Sequence, residues 1–142
     1  MKKLSIYLLA LAFVLVPSLT MAAGVGSVVA NKYLKLSNDY QGTYNNLVAK
    51  DAKIDLGLKT VKTTAKNKTK IQKVDNKLDQ YLSLANKKNK EAKTLLSKAT
   101  VSQSDYKLAK SDLGLVKKYL ASAKTQEKEA RRKLQNLGVK FN

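Results

Sequence analysis

Four aspartates stand in two i,i+4 pairs, Asp51/Asp55 and Asp75/Asp79. On a helix that spacing puts both members of a pair on one face. Paired carboxylates are the groups of a hard-cation site, but such a site takes more oxygen ligands than two. Each pair therefore reads as a solvated face balanced by nearby lysines. The remaining acids, Asp39, Glu91, Asp105, Asp112, Glu127 and Glu129, are scattered along the chain. There is no His and no Cys among the 142 residues. The usual general base and the thiol nucleophile are thus missing, and so are the ligands that transition metals prefer. No glycine-rich phosphate loop is present. The chain is expected to be non-enzymatic and to carry no cofactor and no metal.

Basic residues offer a different chemistry. Lys and Arg number 28 against 10 Asp and Glu, a formal charge of +18. Lys66, Lys68, Lys70, Lys73 and Lys77 cluster in one stretch, and Arg131, Arg132 and Lys133 close the last periodic segment. Such a surface attracts nucleic acid, lipopolysaccharide or other anionic polymers and releases their counterions. The plainer reading is a lysine-rich face that keeps an elongated protein in solution. Seven tyrosines raise the question of stacking. Tyr33, Tyr40, Tyr81 and Tyr106 fall on apolar rows and are expected in the core, whereas Tyr44 and Tyr119 lie beside those rows and are candidates for exposure. Asn67-Lys68-Thr69 fits a glycosylation sequon and is read as chance in a chain with a bacterial style of leader.

The elements that would position these groups are helices. Pro does not recur after Pro17, and Lys, Leu, Ala and Gln, all good helix formers, dominate. Apolar residues repeat every seven positions, the mark of coiled-coil packing. Tyr33, Tyr40, Leu47, Ile54 and Val61 make the first row, with Val29, Leu36 and Leu58 beside it. Ile71, Leu78, Ala85, Ala92 and Ala99 follow, accompanied by Val74, Tyr81, Lys88 and Leu95. Ala109, Val116, Ala123, Ala130 and Leu137 make the last row, beside Tyr106, Leu113, Leu120, Glu127 and Leu134. Lys88 and Glu127 interrupt their rows, where a polar residue can fix register or face water.

Two breaks divide the rows. The stronger lies near 98–103, where Ser102-Gln103-Ser104-Asp105 has the form of a capped helix start. The weaker spans 62–69, where Thr63, Thr64, Asn67 and Thr69 lower helix propensity and the heptad phase slips. Gly138 can close the last helix in a left-handed conformation. Helices are expected at about 27–61, 70–98 and 103–137, each roughly 45–50 Å long at 1.5 Å per residue. If the weaker break bends, they form an elongated three-helix bundle. If it does not, the first two fuse into a rod and the third folds back as an antiparallel coiled-coil hairpin. In that second case Tyr33, Tyr40, Leu47 and Ile54 face water. Because the hairpin formed by the later helices leaves these four least covered, they are the expected association residues.

The first 23 residues read as an export signal. Met1-Lys2-Lys3 is basic, Leu4 to Val16 is apolar, and Thr20-Met21-Ala22-Ala23 offers a processing site. About 13 apolar residues are short for a membrane span. Cleavage after Ala22 or Ala23 would remove two lysines and none of the ten acids, leaving +16. The expected organisation is a signal at 1–23, a helical coiled-coil domain at 24–138 and a loose tail at 139–142. The product would have no transmembrane segment and would reside in the periplasm, at the outer membrane or outside the cell.

Residues 71–138 show a familiar pattern. The helix start at Ser102–Asp105 is followed by Ala109, Leu113, Val116, Leu120, Ala123, Ala130, Leu134, Leu137 and Gly138. This resembles the returning helix of the α-hairpin in TolC-type outer-membrane efflux proteins, and Ile71–Ala99 is similar to the outgoing helix. Those channels are much longer and carry membrane strands, so the resemblance implies a side-by-side α-hairpin without the channel. The chain also resembles FadA-type helical-hairpin adhesins in size, leader, seams and the Ser104-Asp105-Tyr106 segment. It resembles Skp-type periplasmic chaperones in charge. The leading expectation is an envelope structural or interaction protein that self-associates or binds another helical envelope protein. The alternative is a basic periplasmic polyanion- or client-binding protein.

Overall fold

The computed structural model describes residues 24–141; the expected signal, 1–23, lies outside the described residues. Three helices follow one another: α1 over Ser27–Thr60, α2 over Ala65–Leu96 and α3 over Gln103–Gln135. They pack as an all-α three-helix bundle in which each helix touches both others. No helix among the described residues is long and apolar enough to cross a membrane.

The weaker break does bend, and it does so within four residues. Val61 is extended (φ −64°, ψ 125°), which stops α1, and its N–H donates to Gly57 O. Thr64 is the cap of α2, its hydroxyl accepting from Asn67 N at 3.4 Å. Helix α2 therefore begins at Ala65, five residues before the expected start at 70. The threonines that lower propensity there do not prevent helix. Thr69 Oγ1 donates to Ala65 O at 2.9 Å, so its hydroxyl is satisfied inside the turn.

The second turn matches the expected signal. Ser102 Oγ accepts from Asp105 N at 3.1 Å and caps α3. Val101 is buried, and Val25 N donates to its carbonyl at 2.8 Å, which pins the start of the described chain to this turn. Helix α3 ends at Gln135, two residues before the expected limit. Beyond it Gly138 takes φ +87°. Gly138 N donates to Gln135 O and Val139 N to Leu134 O, the paired bonds of a Schellman ending. Within the expected tail, residues 139–141 are not loose. Val139 and Phe141 pack on the core, and the Arg131 guanidinium sits 5.1 Å from the Phe141 ring centroid. Gly57 on α1 makes room for this closure: a Cβ there would meet Leu134 Cδ1 at 3.0 Å and Val139 Cγ1 at 3.3 Å.

The seven-residue rows line the interior. Leu47, Ile54 and Leu58 of α1 pack with Ile71, Val74, Leu78, Leu82 and Ala85 of α2. Val116, Leu120, Ala123, Ala130 and Leu134 of α3 complete this core. A second cluster of Ala92, Leu96, Ala109 and Leu113 fills the other end, with Tyr33, Leu34 and Leu36 against it. Ala85, Ala92, Ala109, Ala123 and Ala130 are almost fully buried, which lets the helix axes approach closely, whereas Ala99, expected in the same row, lies past the end of α2 and is exposed. Tyr33 meets Tyr106 edge-on, 5.3 Å between centroids, and Tyr81 stacks with Tyr119 at 6.4 Å. Tyr44 and Tyr119, candidates for exposure from sequence, are half-buried against the larger core.

Candidate functional site

Two of the four expected association residues are spent inside the chain, and the two tyrosines are half-buried. Leu47 and Ile54 are 3% and 1% exposed, Tyr40 packs against both clusters, and Tyr33 rests on Tyr106. The expectation that the later hairpin leaves them least covered fails, because the turn at 61–64 folds α1 onto that hairpin and buries Leu47 and Ile54. The large apolar side chains left exposed are Val28, Val29, Val48, Leu56, Leu84 and Leu108, spread over all three helices. None belongs to the row expected to associate, apart from the flanking Val29.

The basic residues are where sequence placed them, and the fold adds something sequence did not show. Helices α2 and α3 are antiparallel, so the first turns of α2 lie beside the last turns of α3. Lys70 and Lys133, 63 positions apart, line one groove with Asn67, Ile71, Asn136 and Leu137. Lys66, Lys68, Lys70, Lys73, Lys77 and Arg132 are exposed, and Arg131 and Lys133 are half-buried. These cations thus form two strips along neighbouring helices at one end of the bundle. Within them Arg131 approaches Glu127 at 4.0 Å and Lys133 approaches Glu129 at 3.1 Å. Lys66, Lys68, Lys70, Lys73, Lys77 and Arg132 make no ion pair with any described residue. Charge is not confined to this end. Lys50 with Lys124, Lys32 with Lys35, and Lys90 with Lys93 line other shallow grooves.

Most acids outside the two aspartate pairs serve as counterions. Lys88 Nζ bridges Glu91 at 2.6 Å and Asp112 at 3.0 Å, and Lys98 meets Asp105 at 2.9 Å. The bond to Glu91, followed by that to Asp112, raises the Lys88 pKa; the bond to Lys88 lowers that of Glu91. Lys88 thus interrupts its apolar row in order to join α2 to α3. Glu127, the other interruption, is buried and reaches only Arg131.

The two aspartate pairs are only partly a solvated face: Asp55 and Asp79 are exposed, whereas Asp51 is half-buried and Asp75 is buried. The α1–α2 turn sets them against each other across the helix interface. Asp51 comes within hydrogen-bonding reach of Asp79 and Asp75, and Asp75 within reach of Asp55. Asp75 is 1% exposed. Burial, then the charges of Asp79, Asp75 and Asp55, push Asp51 up to about 7; burial, then Asp55 and Asp79, push Asp75 up to about 6. The i,i+4 spacing was visible in the sequence, but the pairing across helices depends on a register that only the turn fixes. Among the described residues no group of three or more His, Cys, Asp or Glu side chains converges as a metal site requires.

A second polar layer also escaped the sequence reading. Ser37 Oγ donates to Asn89 Oδ1 at 2.8 Å, while Asn89 Nδ2 donates to Ser37 O at 3.1 Å and to Gln41 Oε1 at 3.2 Å. Ser37 stands seven residues after buried Ala30, and Asn89 seven before buried Leu96. A polar residue in step with a buried row was the available signal. The chain matches no family model, no curated protein and no solved structure.

Proposed function

We propose that this chain is an exported, non-catalytic binding protein that holds an anionic polymer on the basic end of its bundle. The observation that carries the reading is the convergence of Lys70 and Lys133 in one groove, flanked by exposed cations on both helices. Cations fixed on two rigid, adjacent helices present a repeating row of ammonium and guanidinium groups without the ordering cost of a flexible tail. Lysine outnumbers arginine heavily. Point charges of this kind suit a partner recognised by charge density more than by bidentate geometry. Association through Tyr33, Tyr40, Leu47 and Ile54, the leading expectation from sequence, is the weaker reading, because Leu47 and Ile54 are buried and Tyr33 and Tyr40 are half-buried.

The test is the salt dependence of binding to a labelled polyphosphate or heparin chain. If about four anionic groups are neutralised, affinity should weaken on the order of a hundredfold between about 50 and 200 mM salt. Affinity that barely moves over that range would refute the reading, as would no binding at low salt.

A further inference from the structure

We propose that the aspartate seam between α1 and α2 is a proton-operated latch. Its carboxyls share protons and hold α1 on α2 in mildly acidic surroundings, and repel one another when the surroundings turn alkaline. The proposal concerns a different face from the basic end and stands independently of that function.

Ser37 of α1 pairs with Asn89 of α2, and two heptads further along the same antiparallel register Asp51 faces Asp75, with Asp55 and Asp79 one turn away on their helices. Carboxylates in contact cannot all ionise, because each adds its repulsion to the cost of desolvating the next. Asp75 is 1% exposed, and only one of its oxygens has a partner: Oδ2 accepts from Gln72 Nε2 at 3.1 Å. Asp75 Oδ1 and Asp51 Oδ1 are both buried without a hydrogen-bond partner. A proton shared by the pair supplies what it lacks, since one carboxyl then donates to the other. Among the described residues no three such side chains converge as a metal cage would, which favours protons over a metal ion as their neutralising partner.

The charged neighbours come from all three helices. Lys50 and Lys53 flank Asp51 on α1, and Lys73 and Lys77 flank Asp75 on α2. From α3 the groups at this level are Lys124, which opens on the groove with Lys50, and Glu127, whose carboxylate reaches Arg131. These cations are nearby, yet burial and neighbouring carboxylates dominate the setting of Asp51 and Asp75.

The sign follows from linkage. A carboxyl whose affinity for protons is higher in the folded chain binds more protons folded than unfolded over the intervening pH range. Stability therefore falls as pH rises from the ordinary aspartate value of 3.8 through about 6 and 7. Protonating surface acids makes an already cationic protein more positive, so general charge repulsion predicts the opposite slope. The chain has no His and no Cys, so few other groups titrate between pH 5 and 8.

Thermal unfolding of the full chain at fixed ionic strength, followed by circular dichroism, tests the latch. Its midpoint should rise by several degrees from pH 8 to pH 5. The Asp51→Asn, Asp75→Asn double variant should lose most of that dependence and be the more stable protein at pH 8. A wild-type midpoint that stays flat or falls toward pH 5 would overturn the proposal, as would a double variant with an undiminished slope. Should the variant fail to fold, carboxyl-carbon NMR titration of the wild type decides. Two aspartates titrating well above the rest support the latch; every carboxyl in the ordinary range overturns it.

Discussion

Ser37 and Asn89 join α1 to α2 across 52 residues of chain, hydroxyl to amide oxygen at 2.8 Å, with the Asn89 amide returning a bond to the Ser37 carbonyl. Both side chains are buried, and Gln41 takes the remaining amide proton. The pair cannot slide by a heptad without leaving buried polar groups unmatched, so it fixes the register that also aligns the aspartate seam.

Asn89→Leu should therefore destabilise the bundle by about 1–3 kcal/mol, because Ser37 and Gln41 lose their partner in a buried layer. Adding Ser37→Ala should recover part of that loss. Urea denaturation of the two single variants and the double would show the coupling as non-additive free energies. Additive losses would mean that the two side chains do not act together.

Ile54→Ala should cost about 2–5 kcal/mol, as for other fully buried large-to-small changes. The molar mass of the remaining folded protein should be unchanged. Leu47→Asp with Ile54→Asp should unfold the chain outright. Sedimentation combined with circular dichroism separates this from loss of an oligomer, which would lower mass while leaving the helices intact.

Replacing Lys88 by Met leaves Asp112 buried without its ammonium, so the variant should unfold at lower denaturant than wild type. Changing Asp112 to Asn in the same chain should restore much of the midpoint. The wild-type interaction has a defined pH range. The raised Lys88 pKa gives stability present below the ordinary lysine value of 10.5 and lost as pH climbs through the higher folded value. The lowered Glu91 pKa gives stability present above the ordinary glutamate value of 4.5 and lost as pH falls through the lower folded one. Lys88→Met should accordingly differ most from wild type between these limits.

Ser102→Ala removes the hydroxyl that caps α3 and should cost about 1 kcal/mol. The bond from Lys98, and then that to Ser102, hold the Asp105 carboxyl below its ordinary range. The Asp105 contribution is present at neutral pH and is lost as pH falls through that depressed value. The Ser102→Ala variant should shift Asp105 titration upward, which side-chain NMR can follow.

Much of this architecture is written in residues that act locally. The α3 rows Ala109–Ala130 and Leu113–Leu134 are buried as their spacing requires, and Ser102 and Gly138 end their segments as their types require. Legibility failed where the outcome depended on one helix meeting another. The run of threonines from Thr63 to Thr69 lowers propensity without saying where the chain reverses; the cap at Thr64 decides that, and Thr69 stays helical by bonding its own turn. With that reversal undecided, Leu47 and Ile54 read as an association seam, whereas they are core. The same register sets Asp51 against Asp75 and brings Lys70 beside Lys133, contacts that no single-helix pattern contains.

The most direct check on the polyanion reading compares two charge-reversal variants in one salt titration against polyphosphate. One carries Lys66→Glu, Lys70→Glu and Lys133→Glu at the proposed end; the other carries Lys32→Glu, Lys35→Glu and Lys93→Glu at the opposite end. The first should weaken binding at least tenfold more than the second and flatten the salt slope by about the number of lost contacts. Equal losses from both variants would contradict a localised site and leave only diffuse attraction to a cationic rod.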